Sequence, residues 1–244
     1  MQADIFKKIL KEMLPISFQR RIWALFRLRP IIGRVRFGSM RRLKPISKTY
    51  GFDRGQPVDR YFIEKFLASQ AVHIRGHVLE IGNNTYTKMF GRDRVTQSDI
   101  LHICEDNPRA TIIADLTTAD HIPSNMFDCI ILTQTLQFIF DVKSALNTLH
   151  RILKPNGALL ISIPGISQID HIWPTYWSFT SFSAQQLFQE TGTSWKEIQI
   201  ETHGNVLAAI AFLHGLAAEE LLTSELLYRD PFYQLVITIR AIKS

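Results

Sequence analysis

The sequence predicts an α/β fold, a mostly parallel sheet with helices on both faces. From His77 onward, short apolar runs alternate with helical patterns, so that successive strands are separated by crossovers. The first run, His77-Val78-Leu79-Glu80-Ile81, carries a carboxylate at its end and passes straight into the polar turn Gly82-Asn83-Asn84-Thr85. Sheets of this class bind ligands beyond the carboxyl ends of their strands, where a glycine lets the backbone come close.

The elements follow in order. Residues 4–14 place Ile5, Ile9 and Met13 at helical spacing among lysines, and Pro15 ends the pattern. A second apolar and basic stretch, Phe18 to Leu28, suits either a helix packed on the domain or a partner, or one lying in a lipid headgroup layer. Residues 30–60, rich in Pro, Gly and Arg, read as an irregular connector; long ordered loops commonly act as lids, so it is expected to border the ligand pocket. Asp59 is expected to cap a helix over 60–69 that presents Phe62, Phe66 and Leu67 on one face.

Strands are expected near 77–81, 94–98, 110–114, 127–132, 157–163, 195–202 and 233–242. Helices are expected near 141–153, 183–191 and 205–222, the first stopped by Pro155-Asn156-Gly157 and the second capped by Ser183. This gives a basic N-terminal helical extension and connector over residues 1–59 and one domain over 60–244.

Apolar residues are spread along the whole chain without a repeat period, which excludes a disordered chain or a solenoid. Residues 1–60 hold 15 Lys and Arg against 4 Asp and Glu, while the remainder holds 13 against 18. The basic segment points to an anionic surface, lipid or nucleic acid, and the body has the balance of a cytosolic enzyme. Cys104 and Cys129 lack metal-ligand spacing, so no metal is expected and a reducing compartment fits. Val206 to Leu216 is too short to span a bilayer and the N-terminus lacks a secretory pattern. The expected location is cytoplasmic, with peripheral membrane contact through the extension.

Two blocks carry a family likeness: Pro123 through Phe127-Asp128 into the strand Cys129-Ile130-Ile131-Leu132, and Leu149-His150-Arg151-Ile152-Leu153-Lys154-Pro155-Asn156-Gly157. With Glu80-Ile81-Gly82 they resemble the class I S-adenosylmethionine-dependent methyltransferases, of the type 11-like kind, over about residues 60–192. The resemblance implies a Rossmann-like seven-stranded sheet with an antiparallel last strand, and S-adenosyl-L-methionine as cofactor. It implies that Glu80 and Gly82 contact the methionine and ribose portions. Asn84 stands where the family has a second glycine, and asparagine tolerates the left-handed backbone that such a turn uses.

Asp99, read as closing the second strand about 20 residues after the glycine turn, is expected to accept the ribose hydroxyls. The resemblance implies that Asp115 meets the adenine amino group with Leu116 flanking the base, and Thr133 and Gln134, at the carboxyl end of the fourth strand, are expected to face the transferred methyl. The reading therefore rests on three acids, Glu80, Asp99 and Asp115, converging from successive strand tips. A nicotinamide enzyme is disfavoured because the phosphate-binding Gly-x-Gly-x-x-Gly is missing.

After the fifth strand, Pro164 to Phe179 leaves the sheet at the cofactor end. His171 is the candidate general base, oriented by Asp170, or else a surface histidine in a turn. Trp173, Tyr176 and Trp177 either stack on a sugar ring or seal a lid. His203 and Tyr228 default to packing or turn roles. The expected activity is O-methylation of a small-molecule or saccharide acceptor, in polysaccharide biosynthesis. Two alternatives stand beside it: an inactive scaffold with this fold, motivated by Asn83-Asn84-Thr85, and an RNA methyltransferase, motivated by the basic extension. Against the latter, Thr133-Gln134-Thr135-Leu136 replaces the Asn/Asp-Pro-Pro-Tyr type of amine site, so nucleic acid is not the expected partner.

Overall fold

The computed structural model describes Pro15, Pro30, residues 33–170 and residues 172–244. The helices expected over 4–14 and Phe18–Leu28 lie outside the described residues. The chain divides into two units, Met1–Lys44 and Pro45–Ser244. In the first, Gly38–Met40 forms one 3-10 turn. Within the second unit the connector is tied to the rest of the chain: Ile46 and Ser47 donate to the His214 carbonyl, and Pro57 bridges to Ala217.

That unit holds a seven-stranded sheet in the order β3-β2-β1-β4-β5-β7-β6. The strands are β1 Gly76–Ile81, β2 Val95–His102, β3 Ile112–Ile113, β4 Phe127–Thr133, β5 Leu153–Pro164, β6 Trp195–His203 and β7 Val236–Lys243. The first five pair in parallel, and β7 lies antiparallel between β5 and β6. The central strands are continuous apolar runs because both faces are covered. On one face Leu79, Ile130, Leu132 and Ile161 pack under α2, Val142–Ile152, and α3, Ser181–Glu190. On the other, Val78, Ile131 and Leu160 pack under α1, Val58–Ser69, and α4, Val206–Leu213.

Local chemistry sets the helix ends. Asp141 accepts the Ser144 amide and opens α2, whose Ala145, Leu146, Leu149 and Ile152 face the sheet. Thr180, not Ser183, caps α3; Ser183 is the reciprocal partner in a capping box. Pro57 stands at the N-cap of α1, which places Asp59 inside the first turn, free of capping duty. The helix expected over 205–222 ends at Leu213. Gly215 sits at φ +67°, its amide meets the Phe212 carbonyl and the Leu216 amide meets the Ala211 carbonyl, a Schellman stop. A short helix, α5 Thr223–Leu227, follows. Among the described residues no helix is long and apolar enough to cross a membrane.

Candidate active site at the carboxyl edge of the sheet

Gly82 follows β1 at φ +81°, and a Cβ placed there would meet nothing within 4 Å, so the floor of the edge is open. Asn84 does not adopt the left-handed backbone; Gly82 alone makes the reversal, and the Asn84 carbonyl accepts the Lys88 amide to begin a helical turn over Thr87–Gly91. Glu80 is buried beneath this turn. Its carboxylate accepts the Tyr86 amide at 3.2 Å, the Thr87 amide at 2.7 Å and the Thr87 hydroxyl at 2.7 Å. Burial pushes the Glu80 carboxyl above its usual range, against the opposing pull of those donors. Glu80 therefore holds the turn in shape.

Asp99 departs from its expected place. β2 continues through Ile100 and Leu101 to His102, and Ile81 is in register with Leu101, so the strand tip is His102. Asp99 pairs in register with Leu79, roughly 10 Å short of that tip at ~3.3 Å per residue. Its carboxylate is engaged by His77 Nε2 at 2.5 Å and the Thr111 hydroxyl at 2.8 Å. The three acids do not converge: Asp99 and Glu80 are held by the protein, and Asp115 alone lines the hollow at the edge.

That hollow, about 220 Å³, lies between the tips of β1, β2, β3 and β4. Gly82, His102, Asp115 and Leu116 line one side, and Gln134, Phe138 and Trp173 the other. Asp115 Oδ1 accepts the Thr117 amide and hydroxyl, each at 2.8 Å. Gln134 follows β4 at φ +48°, which turns the chain across the edge. Thr133 ends the strand just before it, and its carbonyl accepts the Thr135 hydroxyl at 3.0 Å.

A second hollow, about 240 Å³, shares Gln134, Phe138 and Trp173 with the first. The connector supplies Tyr50, Phe52, Asp59 and Arg60, and the loop after β5 supplies Gln168 and Asp170. The expectation that the connector borders the pocket matches this geometry. Together the two hollows reach the ~300–1,000 Å³ of small-molecule sites, the first lined mostly by apolar side chains and the second mostly by polar ones. Arg60 donates to the Tyr86 hydroxyl at 3.0 Å. Gln137 is buried, and its Oε1 has no partner among the described residues.

Of the aromatic trio, Trp173 lines both hollows. Tyr176 and Trp177 instead pack against Phe140, at 5.4 and 5.8 Å between ring centroids, and the Trp177 indole donates to the Ile139 carbonyl. His171 lies outside the described residues. Asp170 Oδ1 accepts the Ile172 and Trp173 amides at 2.6 and 2.9 Å. His203 and Tyr228 line a separate hollow between α1, β6 and α5. There His203 stacks on Phe62, meets the Thr238 hydroxyl at 2.8 Å, and is pushed by burial down to about 4.

Sequence reasoning missed Asp59, Arg60, Gln137 and His102 as lining residues. The signal for His102 was present: Ile100 and Leu101 continue the apolar strand past Asp99. The connector's expected place at the pocket covered Asp59 and Arg60 as a stretch without singling them out, and nothing marked Gln137, whose place depends on the turn after β4.

Residues 79–161 match the family described as a methyltransferase domain. The chain carries a class I S-adenosylmethionine-dependent methyltransferase domain. It is 29% identical over 114 residues to the ubiquinone/menaquinone biosynthesis C-methyltransferase of Vibrio cholerae, covering 44% of this chain and 40% of that protein. The match thus spans well under half the length of the curated relatives. Among solved structures, an S-adenosylmethionine-dependent methyltransferase from Archaeoglobus fulgidus aligns with TM-score 0.52 at 13% identity, over 75% of this chain and 94% of that one. One from Mesorhizobium loti aligns with TM-score 0.50 at 17% identity, over 79% and 100%. The cyclase SpnF aligns with TM-score 0.52 at 14% identity, over 83% and 87%. These likenesses establish the fold; the domain's family implies S-adenosyl-L-methionine as cofactor.

The site fits that cofactor. An apolar slot with one carboxylate at its rim suits an adenine ring, and the open Gly82 floor leaves room for the ribose.

Proposed function

We propose that this protein transfers the methyl group of S-adenosylmethionine to a hydroxyl of a small-molecule or saccharide acceptor. The observation that carries this reading is the pair of contiguous hollows at the strand tips, one apolar with Asp115 and one rich in polar groups, joined at Gln134, Phe138 and Trp173. Asp115 and Leu116 would hold the base, and Gly82 would pass beneath the ribose. When bound, the cofactor supplies a carbon already activated by its sulfonium. The protein's task is then positioning: Gln134 and Trp173 border both hollows and set the acceptor against that carbon.

A polar hollow with an aromatic wall suits a hydroxyl-bearing ring, which favours a saccharide of a surface polysaccharide or a lipid-linked precursor. The basic N-terminal residues favour a peripheral position at an anionic membrane face, on the cytoplasmic side. The reading is tested with methyl-labelled S-adenosylmethionine and a panel of methyl glycosides. Label in a base-stable methyl ether is the expected product. Label on carbon or nitrogen, or in RNA, would replace the acceptor class, and Asp115→Ala should weaken S-adenosylhomocysteine binding about 10-fold or more.

A further inference from the structure

We infer that Asp59 is the catalytic base of the acceptor site, and that Gln137 beside it receives a second acceptor hydroxyl. This rests on the methyl-transfer reading and assigns the proton. Both residues line the second hollow and neither lines the first, so they face the acceptor rather than the adenosyl end.

Two observations single them out. Asp59 is buried in the first turn of α1, and among the described residues only the Arg60 amide donates to its carboxylate, at 2.8 Å to Oδ1. A buried carboxylate normally gathers several donors, as Glu80 does with three; Asp59 Oδ2 has none. Gln137 is 6% exposed, and its Oε1 is an acceptor without a donor. Its amide reaches the Gln134 side chain at 3.4 Å, which leaves the oxygen as the end requiring a partner. Gln137 Oε1 is a buried acceptor without a donor, and Asp59 lines the same cavity with Oδ2 undonated among the described residues, so a ligand that brings two donors, as neighbouring ring hydroxyls do, would engage both. A flat apolar acceptor would leave Gln137 Oε1 unpaired.

The chemistry balances. The acceptor oxygen forms its bond to the methyl carbon as the carbon–sulfur bond breaks, with the electron pair remaining on sulfur. The O–H proton passes to Asp59 Oδ2 and leaves to solvent after product release. Burial pushes the Asp59 carboxyl above its ordinary value, against the pull of Arg60, which brings it closer to neutrality and makes it a better proton acceptor. The other charged groups lining the hollow are Arg60 and Asp170.

The test compares wild type with Asp59→Asn in three measurements: S-adenosylhomocysteine binding by calorimetry, methyl glycoside binding by saturation-transfer NMR, and kcat against pH with the glycosides. The expected result is unchanged S-adenosylhomocysteine affinity, retained glycoside binding, and kcat reduced ~10²–10⁴-fold, with the acid limb of the wild-type profile gone. Gln137→Leu should instead weaken glycoside binding while keeping the acid limb. Wild-type turnover by Asp59→Asn, or a tenfold loss of S-adenosylhomocysteine affinity in it, overturns the assignment while the methyl-transfer reading stands. So does a wild-type kcat with no acid limb at any pH down to the acid unfolding of the protein, a readout that needs no variant. No S-adenosylhomocysteine binding by folded wild type removes the reading itself and this assignment with it.

Discussion

Glu80 accepts hydrogen bonds from the amides of Tyr86 and Thr87 and from the Thr87 hydroxyl, and all three residues are buried. Replacing it by Ala strands those donors away from water, so Glu80→Ala should lower unfolding free energy in urea by about 3 kcal/mol. Glu80→Gln keeps one acceptor oxygen and should cost less. A side chain that only touched ligand would leave the urea midpoint unchanged in either variant. At this scale the sequence was legible in part. The Glu-x-Gly turn is where it was expected because a strand followed by a left-handed glycine is a local signal. Asp99 misled because spacing from the turn was read in place of strand length: two more buried residues carry β2 past it, and its carboxylate is engaged by His77 and Thr111. Asp59 was read as a cap, but Pro57 takes the N-cap position.

Strand β6 carries its own pH dependence through His203. The imidazole is held near 4 in the fold against an ordinary 6.5, mainly by burial and next by Arg229. A histidine depressed by folding stabilises the protein fully above its unfolded value and loses that contribution as pH falls through the folded one. Stability should therefore drop by about 2–3 kcal/mol between pH 6.5 and 4, and His203→Asn should flatten that slope. Equal slopes in thermal melts of the two proteins would show that another group titrates there. The elements were legible where period and punctuation agreed. α2 has an Asp cap and a clear apolar stripe, and β4 and β5 carry the apolar runs Cys129–Leu132 and Ala158–Ile161. The expected long helix after Asn205 failed because Gly215 takes a left-handed conformation and closes a Schellman stop, so the apolar residues beyond it belong to a turn.

Across the whole molecule, the sheet order puts the tips of β1 and β4 side by side at its centre, where the chain reverses direction across the sheet. A crevice at such a switch point is a consequence of topology, which is why the site's location could be read from strand order alone. For the second hollow only the connector's presence could be read, not which of its residues line it, since the path of residues 50–60 over the edge depends on long-range contacts such as Arg54 with Glu220. The basic N-terminal residues give a further expectation: full-length protein should sediment with anionic phosphatidylserine vesicles and be released by raised salt. Equal partition onto neutral vesicles would remove the membrane role. The cofactor assignment is tested most directly by calorimetric titration of the full chain with S-adenosylhomocysteine. Saturable one-to-one binding, weakened in Asp115→Ala and unchanged in Asp99→Asn, is the predicted result. Absence of heat from protein whose circular dichroism shows it folded would contradict it.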